Sequence, residues 1–157
     1  METTTKTSVG EVGYENPWTY KNTTFTSDDI DNFFGFVYCI TNNTNGRKYI
    51  GRKYFWKFRT PRGKKRKVKS ESDWKKYYGS SPELKEEIQR VGRHNFSRVM
   101  LSLHKTAGKT NYEETKQLFV NGVLTEQLDD GTPKYYNSNI LSRYFRKDYY
   151  DYGDDNG

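Results

Sequence analysis

The sequence predicts an α/β fold in which a small mixed or antiparallel three-stranded sheet is flanked by helices. Three observations carry that expectation. Residues 36–51 form two strand-like arms around Asn45-Gly46. Residues Pro82–Val91 place Leu84, Ile88 and Val91 on one helical face and are followed by a strand pattern at 98–103. Residues 111–120 repeat a helical pattern before a turn at 128–133 and a short strand at 135–140. The order hairpin, basic segment, helix, strand, helix, short strand lets helices cover a sheet and bury its faces.

At 157 residues the chain has room for one domain with a modest core. Only 32% of it is hydrophobic, while aromatics reach 17% with 14 tyrosines, so Tyr and Trp must carry much of the core and of the binding surface. A net charge of +7 favours a polyanionic partner, of which nucleic acid is the commonest. The single Cys39 excludes an internal disulfide and a Cys-based zinc site, and points to a reducing compartment. No apolar run approaches the length of a membrane span, and the start Met-Glu-Thr-Thr-Thr-Lys lacks the apolar stretch of a signal peptide. A soluble, cytoplasmic protein without a membrane partner is therefore expected.

Residues 1–33 read as an N-terminal extension, partly disordered, in which Trp18, Tyr20 and Phe25 pack on the domain and Ser27-Asp28-Asp29-Ile30 starts a short helix. Residues 34–147 read as the folded domain and 148–157 as an acidic, flexible tail.

In the hairpin, Phe36, Tyr38 and Ile40 alternate with Val37, Cys39 and Thr41, and Asn45-Gly46 supply residues that accept positive φ. Tyr38 and Tyr49 on paired strands can present phenols side by side, and Gly51 lets a polyanion approach the backbone. A phenol is a poor base at neutral pH unless cations lower its pKa. Residues 52–69 supply cations and no acid: Arg52, Lys53, Lys57, Arg59, Arg62, Lys64, Lys65, Arg66, Lys67 and Lys69, with Tyr54, Phe55, Trp56 and Phe58 interleaved. From charge alone this is either a solvated basic loop or a nucleic-acid contact that adds affinity without reading sequence.

Residues 72–79 read as a capped short helix with Trp74 and Tyr77 turned inward. Pro82–Val91 has Pro in its first turn, Glu83, Glu86 and Glu87 toward its start, and Gly92 as its stop. In the strand at 98–103, Val99, Leu101 and Leu103 share one face and Met100 the other. The helix at 111–120 takes Thr110 or Asn111 as its cap and sets Glu114 one turn before Leu118 on the inward stripe, where a carboxylate needs a cation. His94 and His104 lie at loop edges with no metal-ligand spacing around them.

Phe36-Val37-Tyr38, a polar turn and Tyr49-Ile50-Gly51 together resemble the paired signature of the GIY-YIG nuclease family, with Phe and Val standing where the family usually has Gly and Ile. Ser72-Asp73-Trp74 and Tyr78-Gly79-Ser80-Ser81 resemble its phage-encoded, Seg-type branch, and the likeness runs over about 34–140. The resemblance implies a metal-dependent endonuclease that hydrolyses phosphodiesters of double-stranded DNA, phage-encoded and of homing or DNA-degrading type. It implies Tyr38 as general base with Tyr49 as partner or substitute, and Glu114 as the ligand of one Mg²⁺ or Mn²⁺. Arg59 falls at the place of the family's catalytic arginine, but Thr60-Pro61-Arg62-Gly63 interrupts the helix that normally carries it, so Arg52 or Lys53 could take that role. Tyr78 and Ser80 match residues near the scissile phosphate, Asn137 matches an asparagine that fixes the site, and residues 57–69 would grip the DNA backbone. The front segment, the basic loop and a homodimer are all open as sources of specificity. A nuclease-like fold that only binds nucleic acid is the alternative that the Phe36-Val37 spelling allows.

Overall fold

The hairpin forms as its alternation predicts, from β3 (Gly35–Asn42) and β4 (Lys48–Tyr54), paired antiparallel from Gly35 opposite Tyr54 to Thr41 opposite Lys48. A computed structural model of the chain describes residues 13–150. Asn42 closes the turn: its N–H donates to the Arg47 carbonyl at 2.8 Å, and its own carbonyl accepts from Gly46 N at 2.7 Å. Of the turn pair only Gly46 takes a positive φ, +83°.

The sheet has five strands rather than three. Beside β3 lies antiparallel β7 (Phe96–His104), and β1 (Thr19–Tyr20) runs parallel to β7 with β2 (Thr23–Thr24) on its far side. The two additional strands come from the segment read as an extension, and at two residues each they are too short to show an alternation. Trp18, just before β1, is fully buried with the rings of Phe36 and Tyr38 each 5.1 Å away. Phe25 stacks on Phe55 at 5.5 Å. From Trp18 onward the front segment is therefore part of the core. The expectations for residues 1–12 and 151–157 lie outside the described residues.

Strand parity divides the core into two clusters. Phe36, Tyr38 and Ile40 pack with Trp18, Phe55 and Trp74, whereas Val37 and Ile50 pack on the other face with Leu118, Val123, Leu124 and Ile140. Between β3 and β7 the register passes from Val37 opposite Ser102 to Tyr38 opposite Met100, so Leu101 is an extra residue in a β-bulge. The bulge breaks the expected grouping of Val99, Leu101 and Leu103. Leu103 packs against the first cluster, Leu101 is 43% exposed, and Met100 is buried opposite Tyr38.

Helix α1 (Pro82–Val91) has the predicted bounds; Ser81 Oγ accepts from Leu84 N at 3.1 Å, and Gly92 ends the helix at φ +94°. Helix α2 (Ala107–Val120) starts a turn earlier than expected, with Thr106 Oγ1 accepting from Lys109 N at 3.0 Å. Gly108 and Thr110 are weak helix formers and hide that first turn in the sequence. Residues 72–79 do not form the expected helix: a single 3₁₀ turn at Trp74–Lys76 gives way to extended backbone at Tyr77. Trp74 is fully buried; its Nε1 donates to Glu71 at 2.6 Å and its carbonyl accepts from Trp18 Nε1 at 2.7 Å.

The basic run is not a loop. It folds as a separate two-stranded ribbon, β5 (Trp56–Arg59) and β6 (Val68–Glu71). A small β8 (Asn139–Ile140) and β9 (Tyr144–Phe145) pair leads into the four-residue helix α3 (Arg146–Tyr149). Arg146 donates to the Tyr135 carbonyl and to Glu83. No described helix is long and apolar enough to cross a membrane.

Candidate active site

Strand β4 is the last strand of its sheet, and the chain at 134–137 covers only the first half of its outer edge. Lys48 N donates to the Lys134 carbonyl at 2.9 Å, and Tyr136 N donates to the Lys48 carbonyl at 2.7 Å. The Asn137 side chain then supplies the next rung. Its Nδ2 donates to the Ile50 carbonyl at 2.8 Å and its Oδ1 accepts from Ile50 N at 3.1 Å. Only a carboxamide offers a donor and an acceptor side by side at that spot, which is the physical reason for Asn here. Beyond this rung a cleft of 420 Å³ opens, lined among others by Tyr49, Arg52, Ser80, Glu114, Asn137 and Asn139.

Period-two alternation sends Tyr49 and Arg52 to opposite faces of β4, and both reach the cleft because it lies around the strand's outer edge. From α2, Glu114 places Oε1 3.2 Å from Arg52 Nε. Burial pushes the Glu114 carboxyl above the usual carboxylate range, and the Arg52 guanidinium opposes that shift. Tyr49 Oη lies 3.1 Å from Ser80 Oγ. Burial also raises the Tyr49 phenol, against the opposing effect of the Ser80 hydrogen bond.

Tyr38 lies behind Tyr49, 1% exposed, and does not line the cleft. Its ring crosses Gly51, the residue opposite it in the ladder. A Cβ on Gly51 would stand 2.7 Å from Tyr38 Cζ and 3.0 Å from Tyr49 Cε2. Gly51 is thus required by the packing of the two phenols. Burial, then the neighbouring Tyr49 and Tyr77, hold the Tyr38 phenol well above its ordinary pKa. Tyr77 hydrogen-bonds with Tyr38 and packs edge-on to it at 6.1 Å.

The other expected residues divide. Lys53 shares the face of Tyr38 and Tyr49; it pairs with Asp73 at 2.7 Å, holds that carboxyl below its usual range, and sits 4.1 Å from the Tyr77 ring. Tyr78 turns away, with the Arg98 guanidinium 4.2 Å from its ring and Asn16 Nδ2 donating to its hydroxyl at 2.9 Å. Arg59 is on β5 opposite Val68, exposed and outside the cleft, so the guanidinium in the cleft is that of Arg52. Lys57 and Lys69 lie on the strands of the ribbon, and Arg62, Lys64, Lys65, Arg66 and Lys67 lie between them. Sequence reasoning missed Ser138, Asn139 and Ser142, which line the cleft. Their one signal is proximity to Asn137. It also left Tyr77 without its partner, although Tyr77's inward side was legible from its spacing to Trp74.

Among the described residues there is no group of three His, Cys, Asp or Glu able to hold a metal ion. What remains is a single carboxylate amid hydroxyl and amide groups, a donor set suited to a hydrated Mg²⁺, which takes only one or two protein carboxylates.

Comparison with curated proteins and with solved structures gives no match. A family model described as "Putative endonuclease segE, GIY-YIG domain" matches residues 18–140. That span begins at the buried Trp18 and takes in β1 and β2, both strands of the hairpin, the ribbon, α1, β7, α2 and the Asn137 rung. With its paired tyrosines on β3 and β4, its edge cleft and this match, the chain belongs to the SegE type of the GIY-YIG endonuclease domain family.

Proposed function

We infer that the protein is a divalent-metal-dependent endonuclease that hydrolyses DNA phosphodiesters in the cleft at the edge of β4. One observation carries this reading: Glu114 of α2 converges with Tyr49 and Arg52 of β4 on a single polar cleft. Glu114 is the residue that would hold the ion. Bound there, Mg²⁺ or Mn²⁺ supplies Lewis-acid polarisation of a phosphate oxygen.

The chain's own groups account for the rest. Arg52 offers a fixed guanidinium for the charge that grows on a pentacovalent phosphate, and loss of such a preorganised donor typically costs about 2.7–4 kcal/mol. Tyr49 takes the part expected of Tyr38, because it reaches the cleft. Of that part it keeps the positioning of the attacking water, which its phenol would hold by hydrogen bonding from beside Ser80. Tyr38 acts behind it as a positioning residue, its ring centroid 6.2 Å from that of Tyr49. Asn137 fixes the strand that carries both Tyr49 and Arg52.

Incubation with supercoiled plasmid and Mg²⁺ or Mn²⁺ is expected to yield nicked or linear product. EDTA should stop the reaction, and excess metal should restore it. Absence of product with either ion, or cleavage indifferent to EDTA, would overturn the reading.

A further inference from the structure

The ribbon β5–β6 stands apart from the five-stranded sheet, and all four residues of β6 and three of the four in β5 are exposed. Arg59, Arg62, Lys64, Lys65, Arg66 and Lys67 make no ion pair among the described residues. Such a concentration of unneutralised charge on a thin projection repels itself and attracts a polyanion.

Its root is fixed. Phe55 is fully buried, Ser72 N donates to the Phe55 carbonyl at 2.7 Å and Ser72 Oγ to the Tyr54 carbonyl at 2.7 Å, and the Phe58 ring stacks on Phe34 at 6.4 Å. Cross-strand register sets Trp56 and Phe58 on one face and Lys57 and Arg59 on the other. The first face packs toward the body, so the second points outward with the basic turn.

We propose that this ribbon enters the major groove of duplex DNA beside the cut, with Lys57, Arg59 and the cations of the turn on the groove walls. The proposal rests on the reading of duplex DNA as substrate. The major groove of B-DNA, about 12 Å wide, admits a two-stranded β-ribbon as it stands, whereas the minor groove, about 6 Å wide, takes protein of that bulk with the duplex kinked open. Reach also fits. Arg62 is ten residues beyond the cleft residue Arg52. At about 3.3 Å per residue it lies at most about 33 Å away, so any duplex contact of the turn falls within about one helical turn, roughly 34 Å, of the cleft. The ribbon therefore touches DNA flanking the scissile phosphate.

The test is equilibrium binding in EDTA, where cleavage plays no part, to a short duplex and to the same duplex with a bulky substituent on each cytosine C5, which fills the major groove. Wild type should bind the substituted duplex at least about tenfold more weakly, while netropsin in the minor groove should not compete. The variant Arg62→Gln, Lys64→Gln, Lys65→Gln, Arg66→Gln, Lys67→Gln should keep the wild-type melting temperature, bind both duplexes alike, and lose up to about 4.5 from the slope of log affinity against log salt. Equal wild-type affinity for the two duplexes, competition by netropsin, or an unchanged salt slope in the variant would each overturn the proposal. Failure to cleave plasmid with this binding pattern intact would instead overturn the enzymatic reading alone.

Discussion

Glu114→Gln is expected to lower plasmid cleavage at saturating Mg²⁺ by at least about a thousandfold, which is roughly 4 kcal/mol of lost barrier reduction. Gln keeps the size and shape of the side chain but removes the only carboxylate among the described residues that line the cleft. Stability should not fall with it. Burial already disfavours the charged form of Glu114, and its partner Arg52 is 41% exposed and can be solvated alone. DNA binding should hold or strengthen, since a negative charge leaves a cleft that takes a polyanion. Parallel measurements of single-turnover cleavage, thermal melting and binding in EDTA separate these effects. Cleavage within tenfold of wild type would remove Glu114 from the chemistry.

The second large effect is on stability and lies at Arg98, which no catalytic reasoning reaches. Arg98 is 2% exposed on β7, and its guanidinium donates to the carbonyls of Asn16, Glu15, Lys75 and Tyr77 at distances from 2.6 to 3.3 Å. It is sandwiched by Trp18 at 4.7 Å and Tyr78 at 4.2 Å. One side chain thus ties the front segment to the turn after Trp74. Burial lowers its pKa, but a guanidinium still holds its proton at any ordinary pH, so the cost of desolvating it is offset by these carbonyls. Arg98→Ala removes a fully packed side chain and leaves four part-buried carbonyls unpaired, and is expected to cost about 3–5 kcal/mol. For a chain of this size that is roughly 6–20 °C in melting temperature. Arg98→Lys should recover little, because a point charge cannot fork to four acceptors. A melting temperature within about 3 °C of wild type for Arg98→Ala would show that the network contributes little.

The parts of the fold legible in the sequence are those written in local chemistry. Asn45-Gly46 between alternating arms specifies the hairpin, and Ser81, Pro82 and Gly92 bracket α1. The parts that were not legible depend on partners distant in sequence. Thr19–Tyr20 is a strand only because β7 lies beside it, and the bulge at Leu101 is visible only in the register with β3. Arg98 reads as one more basic strand residue until the carbonyls around it are placed. The site shows the same division. Tyr49, Glu114 and Asn137 could be picked from the family signature and from helix phase. Arg59 could be picked only from its place relative to the family signature, and the ribbon carries it out of the cleft. Arg52 becomes the cleft's guanidinium because β4 is an edge strand, a property of the whole sheet.

That displacement makes the two arginines the sharpest test of a cleft organised around the edge of β4. Steady-state cleavage of one defined duplex by Arg52→Ala and Arg59→Ala, each confirmed folded by its melting curve, measures it directly. The account predicts that Arg52→Ala loses about 10²–10³ in kcat, while Arg59→Ala shows its loss in KM. A kcat collapse in Arg59→Ala alongside near wild-type turnover in Arg52→Ala would contradict it.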